Sequence, residues 1–217
     1  MHRVFLLSPA HSGGRRAEML FNPRAGFALA RSLQRGQPHA LGEIFSFLSG
    51  LYFRGKYAYA KTFARPPEGE GGGWVITTSR GLLDMNEPVT LDDLRQFAEG
   101  SIDEADDRYR KPLARDAARL AKCADCEYVL LGSISTGKYV NVLAESLGEK
   151  LLFPGDFVGR GDMSRGGLLL RSVRDSKELS YLPVVGAVRK GARPPKLEPA
   201  TWKHTPWDLS AGRRQEP

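Results

Sequence analysis

Apolar residues along this chain follow two rhythms: short unbroken runs, and longer stretches in which they recur every third or fourth position. The runs are Val4-Phe5-Leu6-Leu7, Trp74-Val75-Ile76, Tyr128-Val129-Leu130-Leu131 and Leu151-Leu152-Phe153. Each has the length and composition of a strand covered on both faces. Between them lie helical patterns. Asn22-Pro23 supplies a cap and a first-turn proline for a helix continued by Phe27, Ala30 and Leu33 as far as Gly36. Leu41, Ile44, Phe45, Leu48, Leu51 and Tyr52 share one helical face, with Gly50 or Gly55 as the place for a break. Thr90 and Asp93 have capping-box spacing and open a short helix through Phe97. Tyr109, Leu113, Ala117 and Leu120 mark another, with Pro112 at its start or at a kink, and a further helix spans Val140 to Leu147.

Strands alternating with helices predict an α/β fold with a mainly parallel central sheet, whose ligands bind at the carboxyl ends of the strands. Leu168 to Arg174 and Glu178 to Leu182, flanking Asp175-Ser176, predict an antiparallel C-terminal hairpin. Pro66 to Gly73 is a glycine-rich surface connection. From Lys190 the sequence turns basic, proline-rich and irregular, which sets residues 1–189 as one domain and 190–217 as a tail.

Composition narrows this picture. A chain of 217 residues with 41% apolar content can close a hydrophobic core, so wholesale disorder is excluded. The 32 lysines and arginines exceed the 25 acidic residues, a formal charge of +7 that attracts polyanions. Nucleic acid or a nucleotide is therefore the expected partner, the alternative being that the excess charge serves solubility alone. No apolar stretch approaches membrane-spanning length, and the opening residues are too short for a signal peptide, so the sequence predicts no membrane association and a cytoplasmic protein. The two cysteines, Cys123 and Cys126, lack the second pair or nearby histidines that zinc requires, and are expected as free thiols. No metal and no cofactor is expected.

The strongest local signal is the segment after the third apolar run, Gly132-Ser133-Ile134-Ser135-Thr136-Gly137-Lys138. A strand, a glycine loop and a helix in that order direct backbone N–H groups and the positive end of a helix toward one point, where an anion binds readily. The spacing is that of a phosphate-binding loop, but Tyr139 stands where serine or threonine would hold magnesium, which weakens the case for nucleotide hydrolysis. Gly132, Ser133, Thr136, Lys138 and Tyr139 are thus candidate anion ligands. A plain strand-to-helix turn with a solvated lysine remains the alternative.

A second loop, Phe153 to Gly167, sets Arg160 and Arg165 beside Asp156 and Asp162 among five glycines. The arginines can clamp phosphate and either aspartate can act as general acid or base; internal Arg–Asp pairing is the competing reading. Ser8, His11, Arg15 and Arg16 leave the first strand, and Ser79 and Arg80 leave the second. In an open sheet these exits share one rim, so they join the candidate site, with His11 as a further catalytic candidate. The segment Tyr52 to Lys61 interleaves aromatics with basic residues, suited either to base stacking or to covering core with the lysines turned outward. Acyl-transfer motifs are absent.

The segment Trp74-Val75-Ile76-Thr77-Thr78-Ser79-Arg80-Gly81-Leu82-Leu83, with Leu6-Leu7-Ser8-Pro9 and Arg15-Arg16 at the first strand exit, resembles a group of α/β domains. That group comprises bacterial proteins and the uracil-DNA-glycosylase-like domains of archaeosine-pathway tRNA-modifying enzymes. The resemblance implies a three-layer α/β/α sandwich acting on nucleobases or nucleic acid. It transfers no catalytic residue, because the glycosylase water-activating motif is not present. The expected function is a nucleic-acid- or nucleotide-binding enzyme that cleaves or exchanges an N-glycosidic bond. The rivals are a nucleotide-sensing or nucleic-acid-binding module without chemistry, and a P-loop-like hydrolase or phosphotransferase.

Overall fold

A computed structural model describes residues 1–197. Four strands form a parallel core: β1 (His2–Leu7), β3 (Gly73–Ile76), β6 (Cys126–Leu131) and β7 (Leu151–Pro154). Two short strands, β4 (Leu82–Asp84) beside β3 and β8 (Tyr181–Pro183) beside β7, close the edges in antiparallel sense. The order is β4-β3-β1-β6-β7-β8. A separate pair, β2 (His39–Ala40) and β5 (Pro88–Val89), is antiparallel.

Alternation along β1 explains why the sheet is covered on both sides. Phe5 and Leu7 face one core with Val129 and Leu131 of β6, whereas Val4 and Leu6 face the other with Tyr128 and Leu130. The first core is roofed by helices α1 (Arg15–Phe21), α2 (Ala28–Gln34), α3 (Leu41–Ser49), α4 (Leu51–Phe63), α5 (Leu91–Glu99) and α8 (Asp162–Arg174). The second is roofed by α6 (Asp107–Ala121) and α7 (Gly137–Leu147). The α/β sandwich is as the sequence pattern requires.

Three local expectations are corrected. Asn22 does not open a helix but ends α1, because Arg15 to Phe21 buries Ala17 and Leu20, and α2 starts only at Ala28. The stretch from Leu168 to Arg174 is not a strand. It is the second half of α8, and the antiparallel partner of β8 is β7. The glycines that suggested a loop there serve a helix crossing: a Cβ on Gly166 would lie 2.8 Å from the Leu51 carbonyl and Tyr52 Cα, and one on Gly55 would lie 2.8 Å from the Gly166 carbonyl. Two helices can touch backbone to backbone only where side chains are missing. Cys123 and Cys126, expected as thiols, form a disulfide across the turn from α6 to β6, with their Cα atoms 5.5 Å apart.

Other features stand where the sequence put them. The chain breaks between α3 and α4 at Gly50 (φ 65°). Thr90 and Asp93 make both halves of a capping box on α5. Pro112 lies inside α6 rather than at its start. Of the tail, residues 190–197 carry no regular structure, and 198–217 lie outside the described residues.

Candidate functional site

The connection leaving β1 passes to β3 on one side, whereas β6 lies on the other, so the loops after β1 and β6 diverge. A crevice is expected there, outside the carboxyl ends of the strands. A cleft of about 600 Å³ occupies that place, lined by Ser8 to Gly13 after β1, by Ser133, Lys138 and Tyr139 after β6, by Tyr52 and Lys56 of α4, by Thr78, by Phe97, Ala98 and Gly100 to Ile102 around the end of α5, and by Asp162.

The floor of the cleft holds a buried lysine. Lys56 is 1% exposed, and its Nζ donates to the Ser8 carbonyl at 2.6 Å and to Ser8 Oγ at 2.9 Å. It lies 4.1 Å from the Tyr52 ring centre and 5.0 Å from that of Phe53. Burial removes water from the ammonium and pushes its pKa down to about 7; Asp162 opposes that shift and Arg165 adds to it. No carboxylate among the described residues is hydrogen-bonded to it. Beside it, the Tyr52 hydroxyl is buried next to the Arg165 guanidinium, and its pKa is raised, by burial above all, with Arg165 acting in the opposite sense.

Two helix amino ends border the same cleft. Thr136 at the start of α7 and Gly161 at the start of α8 provide no side-chain cap. The first-turn N–H groups of a helix have no partner within it, and they favour negative charge. Lys138, half-buried, stands in the first turn of α7, its Nζ 5.0 Å from the Tyr139 ring centre. Tyr139 is buried, and burial, with Asp162 adding, pushes its pKa up to about 12. Asp162 opens α8 with its side chain 71% exposed and 3.5 Å from Arg165 Nη1. The walls therefore carry cations at the floor and at one rim and a carboxylate at another.

Of the residues predicted from sequence, Ser8, His11, Ser133, Lys138, Tyr139 and Asp162 line this cleft. The others do not. Arg16 donates to the Phe47 carbonyl at 2.9 Å, at the end of α3. Arg15 is exposed and not part of the lining. Arg80 pairs with Asp93 at 2.9 Å, and Ser79 sits half-buried in the same turn. That turn has its own structural reason: Gly81 (φ 69°) leaves no room for a Cβ beside Asp116 of α6, whose carboxylate accepts from Leu82 N–H at 2.9 Å. Gly132 is buried and Thr136 exposed, neither in the lining. Asp156 is exposed in the short helical turn after β7. Arg160 bonds back to the Asp156 carbonyl at 3.0 Å and to Ser164 Oγ at 3.2 Å. Arg165 is buried behind the cleft, its guanidinium donating to the Phe157 carbonyl.

Lys56, Tyr52 and Thr78 were not among the predicted site residues. The signal for Lys56 was present in the sequence: with Tyr52, Tyr59 and Phe63 it occupies the stripe of α4 that faces the core, a position for an apolar side chain. Among the described residues no group of three or more His, Cys, Asp or Glu is placed to hold a metal, and no helix is long and apolar enough to cross a membrane. No family model, no curated protein and no solved structure matches this chain.

Proposed function

We propose that the cleft binds a nucleotide and that the protein cleaves or exchanges the N-glycosidic bond between its base and its sugar. The observation that carries this reading is the position and charge of the cleft: it lies where the β1 and β6 connections diverge, and it holds Lys138 and the open end of α7 on one side with the Asp162 carboxylate on another. A volume of about 600 Å³ suits a small polar ligand of nucleotide size. In this reading the phosphate sits against the first turn of α7 and Lys138, where backbone N–H groups and an ammonium offset its charge. The base and sugar occupy the deeper part beside Tyr52, Phe97 and Ile102, and Asp162 acts as the acid or base that moves a proton to or from the leaving base. The net charge of +7 favours the approach of any such anion, whether free or within a strand.

The test is incubation of the full chain with ribo- and deoxyribonucleoside monophosphates and with a single-stranded oligonucleotide, with free base measured by chromatography and binding by thermal shift. Base release that is lost in Asp162→Asn, with ligand-induced stabilisation retained, supports the reading. Neither release nor stabilisation with any of these ligands overturns it. Activity on the oligonucleotide that falls steeply with added salt assigns the substrate to a strand, because phosphate contacts release counterions.

A further inference from the structure

We propose that Lys56 is a covalent nucleophile, its Nζ bonding to the anomeric carbon of the substrate's pentose and passing through an imine; this rests on the nucleotide reading above.

The placement of the amine is the argument. Lysine is among the residues least often enclosed without a counter-charge. Here the ammonium has been drawn into the wall of a cleft, held by two oxygens of Ser8, and flanked by two aromatic rings, with no carboxylate hydrogen-bonded to it. A lysine needed only for packing would be served as well by methionine, without the desolvation cost. The Tyr52 ring lies against the amine in the same cleft, its hydroxyl enclosed beside Arg165. An enclosed amine at a cavity wall, bonded only by neutral oxygens, points to a surface built for a ligand. A neutral amine is required for attack, and an enclosed lysine reaches that state near neutral pH.

The steps balance. The Nζ lone pair bonds to the anomeric carbon, the carbon–nitrogen bond to the base breaks with its electron pair passing to the base nitrogen, and the proton shed by Nζ is returned to that nitrogen. The sugar ring then opens, its oxygen taking a proton as the carbon–Nζ double bond forms. Water adds to the imine, releases the pentose phosphate and restores the amine. Net consumption is one nucleotide and one water; the products are one base and one pentose phosphate.

Ribose 5-phosphate, whose open form exposes the anomeric carbon as an aldehyde, is the probe. The full chain is incubated with it and sodium cyanoborohydride, which reduces an imine to a stable amine, and the adduct is located by peptide mass spectrometry. The expected result is one dominant adduct on Lys56, half-maximal near pH 7, with Lys61 and the other exposed lysines labelled only at much higher pH. Burial sets this profile, with Asp162 of α8 opposing it and Arg165 of α8 adding to it; the other titratable groups at the cleft are Tyr52 of α4, Lys138 and Tyr139 of α7, and His11 after β1. Lys56→Met abolishes the adduct and lowers base release at least about 100-fold, whereas Lys61→Met changes neither. Mapping the unaltered protein keeps the test decisive if Lys56→Met does not fold. Base release from a nucleotide with no adduct on Lys56 overturns this proposal and leaves the nucleotide reading standing. An adduct on Lys56 with neither base release from any nucleotide nor stabilisation by one upholds the nucleophile and overturns the nucleotide reading. Absence of both overturns both.

Discussion

Two cations lie at opposite ends of β1, and they are housed in opposite ways. Arg3, near the start of the strand, donates to Glu178 at 2.7 Å and to Glu127 at 2.9 Å, while Arg65 and the Tyr181 hydroxyl reach the same Glu178 carboxylate at 2.8 and 2.9 Å. Burial lowers the Arg3 pKa, but the hydrogen bonds to Glu127 and Glu178 outweigh that and leave it raised. Lys56, whose Nζ meets Ser8 just past the end of the strand, has only neutral oxygens and aromatic faces. The first arrangement finds its charge balance inside the fold. The second gives the amine no hydrogen-bonded carboxylate at the wall of a cavity, and under the proposed function that difference separates a group that holds the sheet from one that meets a ligand.

The sharpest way to break this contrast is turnover. Lys56→Met is expected to reduce base release at least about 100-fold, the scale of removing a proton-transferring or nucleophilic group. Arg3→Met should leave the rate of correctly folded protein within about twofold. A catalytic loss from Arg3→Met, with the melting profile intact, would erase the distinction drawn here. Second in size is stability. Arg3→Met strands the half-buried Glu127 carboxylate, leaves Glu178 to Arg65 and the Tyr181 hydroxyl, and should cost about 2 kcal/mol in chemical denaturation, below the value for a fully enclosed pair because Glu127 keeps some contact with water.

The pH dependence of stability sharpens the contrast further. The folded Lys56 loses its proton near pH 7 while the unfolded chain keeps it until about 10.5. Between those values the unfolded state binds more protons, so stability rises with pH. The tyrosines with raised pKa, Tyr59 and Tyr139 among them, act in the opposite sense once the unfolded phenols ionise near 10, so the measurement belongs between pH 7 and 9. Unfolding of the natural chain should move to higher denaturant across that window, and Lys56→Met should lack the increment. A natural chain whose stability stays flat there would show that Lys56 is not desolvated. The smallest effect is expected from Arg80→Ala, which removes a half-buried pair with Asp93 and should cost no more than about 1 kcal/mol, without changing thermal-shift responses to nucleotides.

Much of the scaffold was legible because apolar runs and helical stripes are local. β1, β3, β6 and β7, the capping box of α5 and the break at Gly50 all follow from neighbouring residues. What local pattern could not show was which long-range contact explains a glycine. Gly166 reads as a loop residue because its reason, the approach of α4, lies more than a hundred positions away in the chain. The same holds for the site. The Gly132 and Ser8 exits meet because both leave parallel strands at their carboxyl ends, which topology rules anticipate. Arg80 and Arg160 also leave such strands, yet Asp93 and the backbone after β7 occupy them, and pairing of that kind leaves no mark on sequence spacing. Lys56 was hidden for another reason. Its neighbours Lys61 and Arg54 are surface residues, and only the register of α4 distinguishes a lysine on the inner stripe from them.

The crossing of α4 and α8 at Gly55 and Gly166 fixes the spacing between the amine of one helix and the carboxylate of the other, since neither helix can approach closer and any larger residue would force them apart. The cleft therefore has one rigid jaw. Accommodation of bulkier or smaller ligands, by design or by drift, has to come from other lining residues such as Ser101 and Ile102, since Gly100 between them and α5 is itself held small by Thr78, 2.7 Å from where a Cβ would lie.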